Sequence, residues 1–114
     1  MPYITTTTTK KITPEIKKAL ISKLGKAIEI IPGKTDEWLM LNFNSEAEMA
    51  FRSTEVGGAA MVEVEILGTA SPDAKEKLTA AICEIVTEVL EISGERTYVT
   101  YREVDTWGYN GANF

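Results

Sequence analysis

The chain has 114 residues, 44% of them hydrophobic and 25% charged, the size and balance of one globular domain with a modest core. A net charge of −5 argues against an electrostatic nucleic-acid surface or an anionic-membrane patch, and no apolar run approaches the roughly 20 residues that span a bilayer. With no histidine and one cysteine, Ser-His-Asp and Cys-His nucleophilic sites, His/Cys zinc sites and an intrachain disulfide are all excluded. Proton-transfer chemistry would have to use a carboxylate, a lysine, a tyrosine or the N-terminal amine.

The chain opens "MPYITTTTTK". Pro2 is either a stiff entry to an edge strand or, once Met1 is removed, a secondary amine. If Met1 stays, the Pro2 nitrogen is a tertiary amide with no lone pair to use. No charged segment followed by an apolar one marks a secretory signal, so a cytoplasmic protein is expected, with leaderless export left open. The β-branched run Tyr3–Thr9 predicts a strand. A helix follows, with Thr13 as N-cap, Pro14 at its first position, and Ile16, Leu20, Leu24 and Ile28 on one face. Pro32-Gly33 stops it, and "WLMLNFN" predicts a strand with Trp38, Met40 and Asn42 on one side. Cys83 falls on the apolar side of a second helical pattern, where packing is its expected role.

Sliding the sequence by 58 positions brings Pro14 onto Pro72 and Thr13 onto Ser71. The same shift brings Leu20, Leu24 and Ile28 onto Leu78, Ile82 and Val86, and Ile4–Thr8 onto Val62–Ile66. The chain thus reads as a single domain over 1–114: a β-α-β unit used twice (3–44 and 61–102), followed by an aromatic tail at 105–114. Right-handed crossovers place both helices on one face of a four-stranded sheet, an α+β architecture. "MVEVEIL" alternates Val62, Val64 and Ile66 against Glu63 and Glu65, while "YVTYRE" and "WLMLNF" offer bulky side chains on both faces, so the other face is expected to have apolar character and to drive association. Gly57-Gly58 and Gly68 fit turns or bulges; they belong to no phosphate-binding glycine motif.

A post-methionine proline, the doubled β-α-β unit and the tail "WGYNGANF" together resemble the tautomerase superfamily. Within it the chain is most similar to the macrophage migration inhibitory factor group, which includes the D-dopachrome and phenylpyruvate tautomerases. "MPYI", "PGKTDEWLML", Met49–Phe51, "ERTYVTY" and the tail carry the resemblance in order along the whole chain. It implies a homotrimeric barrel, with active sites between adjacent subunits and no cofactor. The substrate implied is a small aromatic α-keto acid, interconverted between keto and enol forms.

The same resemblance makes Pro2 the base and Lys34 its partner. A cation beside an amine disfavours the ammonium form, and it also attracts a substrate carboxylate or an enolate. Tyr3, Ile66 and Leu67 would come from the subunit carrying Pro2, with the Leu67 N–H meeting a carboxylate. Tyr98 would come from the neighbour, and Trp38, Tyr109 and Phe114 would form an aromatic slot. Thr100 and Trp107 depart from the residues usual in the group and are expected to narrow or re-aim that slot. The Cys-x-x-Cys segment of some members is missing, so no thiol oxidoreductase activity is expected. The arginine pairs of the dehalogenase relatives are missing too. Besides the enzyme, a signalling protein with a residual pocket and a purely structural trimer share this fold.

Overall fold

The computed structural model describes residues 1–114. Its elements are β1 (Pro2–Thr8), α1 (Pro14–Ala27), β2 (Met40–Asn44), β3 (Ala60–Leu67), α2 (Pro72–Ile85) and β4 (Thr97–Val104), then β5 (Gly108–Tyr109) and β6 (Ala112–Asn113). The first four strands form one sheet in the order β2-β1-β3-β4. The β1–β2 and β3–β4 pairs are parallel, as each is bridged by a crossover helix, and the central β1–β3 pair is antiparallel.

Each helix begins for a local reason. The Thr13 hydroxyl accepts from the Ile16 N–H at 3.3 Å and the Ser71 hydroxyl from the Ala74 N–H at 3.0 Å, each followed by a proline that has no N–H to satisfy. Helix bounds recur 58 positions apart, 14–27 and 72–85, and so do the starts of β1 and β3, at 2 and 60.

The core lies between the sheet and both helices. Ile4, Val62, Val64 and Ile66 from the sheet meet Leu20, Leu24, Leu78 and Ile82 from the helices, all at most 2% exposed. Each such side chain contributes about 1.5–3 kcal/mol through removal from water. Cys83 is a free, half-buried thiol. No helix is long and apolar enough to cross a membrane.

The opposite sheet face departs from expectation. Pairing aligns three rows on it: Met40, Tyr3, Glu65 and Arg102; then Asn42, Thr5, Glu63 and Thr100; then Asn44, Thr7, Met61 and Tyr98. Apolar bulk stands at two diagonal corners of this face, Met40 with Tyr3 and Met61 with Tyr98, while its middle is threonine, asparagine and glutamate. The alternation that buries Val62, Val64 and Ile66 necessarily turns Glu63 and Glu65 outward.

Candidate functional site

The site gathers at the start of β1. As the first residue of a central strand, Pro2 lies between β2 and β3, with Ile66 as its partner on β3. The carbonyl oxygen of Met1 accepts from the Leu67 N–H at 3.0 Å, which seats the terminus beside the end of β3. The Met1 amine is held below its ordinary pKa, first by desolvation, then by the charge of Lys34 and a hydrogen bond with it.

Lys34 reaches this point because the chain turns sharply after α1. Gly33 adopts φ +81°, a conformation open to glycine, and the Lys34 N–H closes the turn on the Ile31 carbonyl at 3.1 Å. From there the Lys34 Nζ donates to the Leu67 carbonyl at 2.9 Å. One residue, Leu67, therefore links the terminus through its N–H and the lysine through its C=O.

Beside this cluster lies a cleft of about 620 Å³, lined by Met1, Pro2 and Tyr3 with Trp38, Met40, Trp107 and Tyr109. Tyr3 is fixed on the outer sheet face, where its hydroxyl accepts from the Asn42 side-chain amide at 3.2 Å. Trp38 sits in a 3-10 turn, Asp36–Trp38, and the strand starts only at Met40; this corrects the expected strand over "WLMLNFN". The tail folds into a small hairpin in which Gly108 pairs with Asn113 and Tyr109 with Ala112. Its turn places Asn110 and Gly111 at φ 50° and 86°, the left-handed geometry a two-residue hairpin loop requires. The hairpin delivers Tyr109 to Trp38, ring centroids 5.0 Å apart at 87°.

Phe114 is placed differently from a wall residue. Its ring lies 6.1 Å from Trp38 and 6.0 Å from Tyr109, and its N–H donates to the Trp107 carbonyl at 3.0 Å, so it buttresses the aromatics without lining the cleft. Ile66 is wholly buried in the core, which leaves only its backbone facing the terminus. Thr100 lines a separate hollow of about 340 Å³ with Tyr3, Glu63 and Arg102. Tyr98 packs edge-on against Phe51 at 5.2 Å and registers with Met61, at the far end of β3 from the partner of Pro2. Within one chain, then, Pro2, Tyr3, Lys34, Trp38, Leu67, Trp107 and Tyr109 converge, and Tyr98 and Thr100 do not.

Further residues line the cleft that the sequence reading did not assign to the site, among them Glu37, Met40, Glu65 and Thr106. Met40 and Glu65 were accessible through pairing, since both register with Tyr3. Glu37 carried only its adjacency to Trp38.

The family model described as "Macrophage migration inhibitory factor (MIF)" matches residues 1–114. The crystal structure of Leishmania major MIF2 is similar to this chain with a TM-score of 0.92 and 27% identity, covering 100% of this chain and 97% of that one. A macrophage migration inhibitory factor homologue from Prochlorococcus marinus shares the fold with a TM-score of 0.82 and 20% identity, over 98% of both chains. So does a fused 4-OT protein described as an asymmetric trimer, with a TM-score of 0.82 and 16% identity over 97% of this chain and 94% of that one. No curated protein sequence matches the chain.

Proposed function

Because the chain belongs to the macrophage migration inhibitory factor family, we propose that it is a cytoplasmic keto–enol tautomerase of small aromatic α-keto acids of the phenylpyruvate type. It acts without a cofactor, as a homotrimer, with the Pro2 amine as base once Met1 is removed. The observation that carries this reading is the meeting of the terminus, Lys34 and Leu67 at one end of an aromatic-walled cleft.

An ordinary terminal amine has a pKa near 8 and is mostly protonated at neutral pH. Burial and the Lys34 charge both favour the free base, as they already do for the Met1 amine. Removing Met1 exposes the Pro2 nitrogen and at the same time frees the Leu67 N–H, now spent on the Met1 carbonyl. The substrate carboxylate binds at Lys34 and the Leu67 N–H, and its ring lies against Trp38, Trp107 and Tyr109. Pro2 takes the proton beside the ketone, the enolate charge develops next to Lys34, and the proton returns to the other atom.

Assembly completes the site. In the trimer the outer sheet faces turn towards one another, and the neighbouring subunit supplies Tyr98 and Thr100, which a single chain holds away from Pro2. The fused 4-OT protein named above, which shares this fold and is described as an asymmetric trimer, supports this reading.

The test is an intact-mass measurement joined to a phenylpyruvate enolisation assay. Protein lacking Met1 is expected to turn over phenylpyruvate, and Pro2→Gly to lose roughly 100-fold or more, the scale of a general base. Equal rates for Pro2→Gly and the parent, or activity in chains that keep Met1, would remove Pro2 from the mechanism.

A further inference from the structure

The cleft meets charge of both signs. The Lys34 ammonium stands by the terminus that lines it. Glu37 also lines it, and it belongs to the same short turn as Trp38, its neighbour in sequence. Glu37 takes part in none of the four ion pairs, Lys10–Glu91, Lys23–Glu88, Lys75–Glu103 and Lys77–Asp73. The second carboxylate of the cleft, Glu65, shares a cross-strand row with Arg102 on the same sheet face, so a cation stands opposite it. Glu37 lies in the turn ahead of β2, outside the rows of the sheet, and forms no ion pair.

The walls suit a positive group as well. Trp38 and Tyr109 both line the cleft and meet edge to face, ring centroids 5.0 Å apart at 87°. Ring faces attract cations, and an unpaired carboxylate at the same place adds to that attraction while repelling anions.

We propose that Glu37 is the specificity residue of this cleft, selecting aromatic α-keto acids that carry a cationic group on the ring, opposite the keto acid end. This rests on the tautomerase reading above and names its substrate class. The keto acid carboxylate goes to Lys34 and Leu67, and the ring cation goes to Glu37 between Trp38 and Tyr109. Neutral-ring acids such as phenylpyruvate bind in the same orientation with lower affinity, and acids with an anionic ring substituent are disfavoured.

Binding can be read apart from turnover, because both tryptophans of the chain line the cleft and report through fluorescence. The probes are 3-phenylpropanoate and its 4-aminomethyl and 4-carboxy derivatives, which lack the ketone and cannot be enolised, titrated into Met1-free protein. The 4-aminomethyl acid is expected to bind about tenfold more tightly than the parent acid, the scale of a cation–aromatic contact joined to one exposed ion pair. In Glu37→Gln the preference should fall to the few-fold that the aromatic walls alone sustain. Equal affinities in the parent protein, or an unchanged preference in Glu37→Gln, would overturn the proposal, whatever the rate with phenylpyruvate. An intact preference without phenylpyruvate turnover would support the charge selectivity and sink the tautomerase reading.

Discussion

Lys34 and Leu67, 33 residues apart in sequence, are joined by a hydrogen bond of 2.9 Å from the lysine Nζ to the leucine carbonyl, and the Leu67 N–H on the same peptide strand end holds the terminus. The lysine is thereby aimed at the N-terminal amine and not at solvent. Lys34→Met should return the Pro2 amine towards its usual pKa near 8. The sign follows from the charge: Lys34 disfavours the ammonium, so its loss leaves less free base at neutral and acid pH. The rising limb of kcat/KM against pH is expected to move to higher pH, and Lys34→Arg to keep it near its original place. A uniform fall at every pH would show that Lys34 binds substrate without tuning the base.

Arg96 closes the long connection between β2 and β3. Its Nε donates to the Gly58 carbonyl, Nη1 to that of Phe51 at 3.2 Å and Nη2 to that of Thr54 at 2.8 Å, with the guanidinium 5.4 Å from the Phe51 ring centre. Arg52 and Ser53 in this loop hold positive φ, 53° and 62°, a conformation that needs such external support. Arg96→Ala is expected to cost about 2–3 kcal/mol in urea unfolding, since three carbonyls lose a charged donor. Arg96→Lys should recover little of it, because one ammonium cannot span three acceptors. Full recovery by lysine would mean that charge, not the planar fork, holds the loop.

Tyr101 ties β4 to α2. Its hydroxyl donates to the Lys75 carbonyl at 2.9 Å and shares a 2.8 Å hydrogen bond with the Thr79 hydroxyl. Burial pushes the phenol above its ordinary pKa; the Thr79 hydrogen bond opposes this, and Cys83 adds a small push in the same direction as burial. A raised acid pKa in the folded chain gives stability that is complete below the unfolded value and is lost as pH rises through the folded one. Stability should therefore fall above about pH 10, the unfolded tyrosine range. Tyr101→Phe is expected to lose about 1 kcal/mol at neutral pH and to flatten the part of the alkaline fall due to this group. An identical alkaline slope in the variant would assign the fall to other residues.

The tail hairpin can be loosened without touching the core. Gly111→Val forces a β-branched residue to φ 86°, which costs about 1–3 kcal/mol locally and frays the strand pair that carries Tyr109. For phenylpyruvate, KM should rise while kcat changes little, since Pro2 and Lys34 lie on other elements. A matching fall in kcat would place the hairpin in the chemical step.

The sheet and helices were legible because each of their signals is local. Thr13-Pro14 and Ser71-Pro72 announce the helix starts, and alternation in Val62–Ile66 marks a half-buried strand. Trp38 was harder. A turn residue that leaves the chain on the same exposed side as Met40 continues the alternation of the strand after it, so the pattern alone cannot separate them. The polar middle of the outer face was hidden for another reason. Tyr3, Met40 and Tyr98 look bulky when counted along each strand, and only the cross-strand register shows that they stand at corners around threonines and glutamates. In the tail, strands of two residues are too short for any period, though Asn110-Gly111 is a recognisable hairpin turn. Pocket geometry at Tyr98 was beyond reach of either reading within one chain, because no intrachain contact brings it to Pro2.

The central strand pair has a property that concerns the number of sites per chain. Pro2 pairs with Ile66 and Thr8 with Ala60; shifting by 58 positions turns each pair into the other, and Thr5 pairs with its own equivalent, Glu63. The two halves are thus related by a local twofold axis, and Ala60 is the counterpart of Pro2 at the opposite end of the sheet. Yet Ala60 follows Ala59 through an ordinary peptide bond, so its nitrogen can never become an amine. Covalent continuity alone halves what the symmetry would otherwise permit: a free amine can arise at only one end of the sheet, and the peptide bond before Ala60 closes that possibility at its twin.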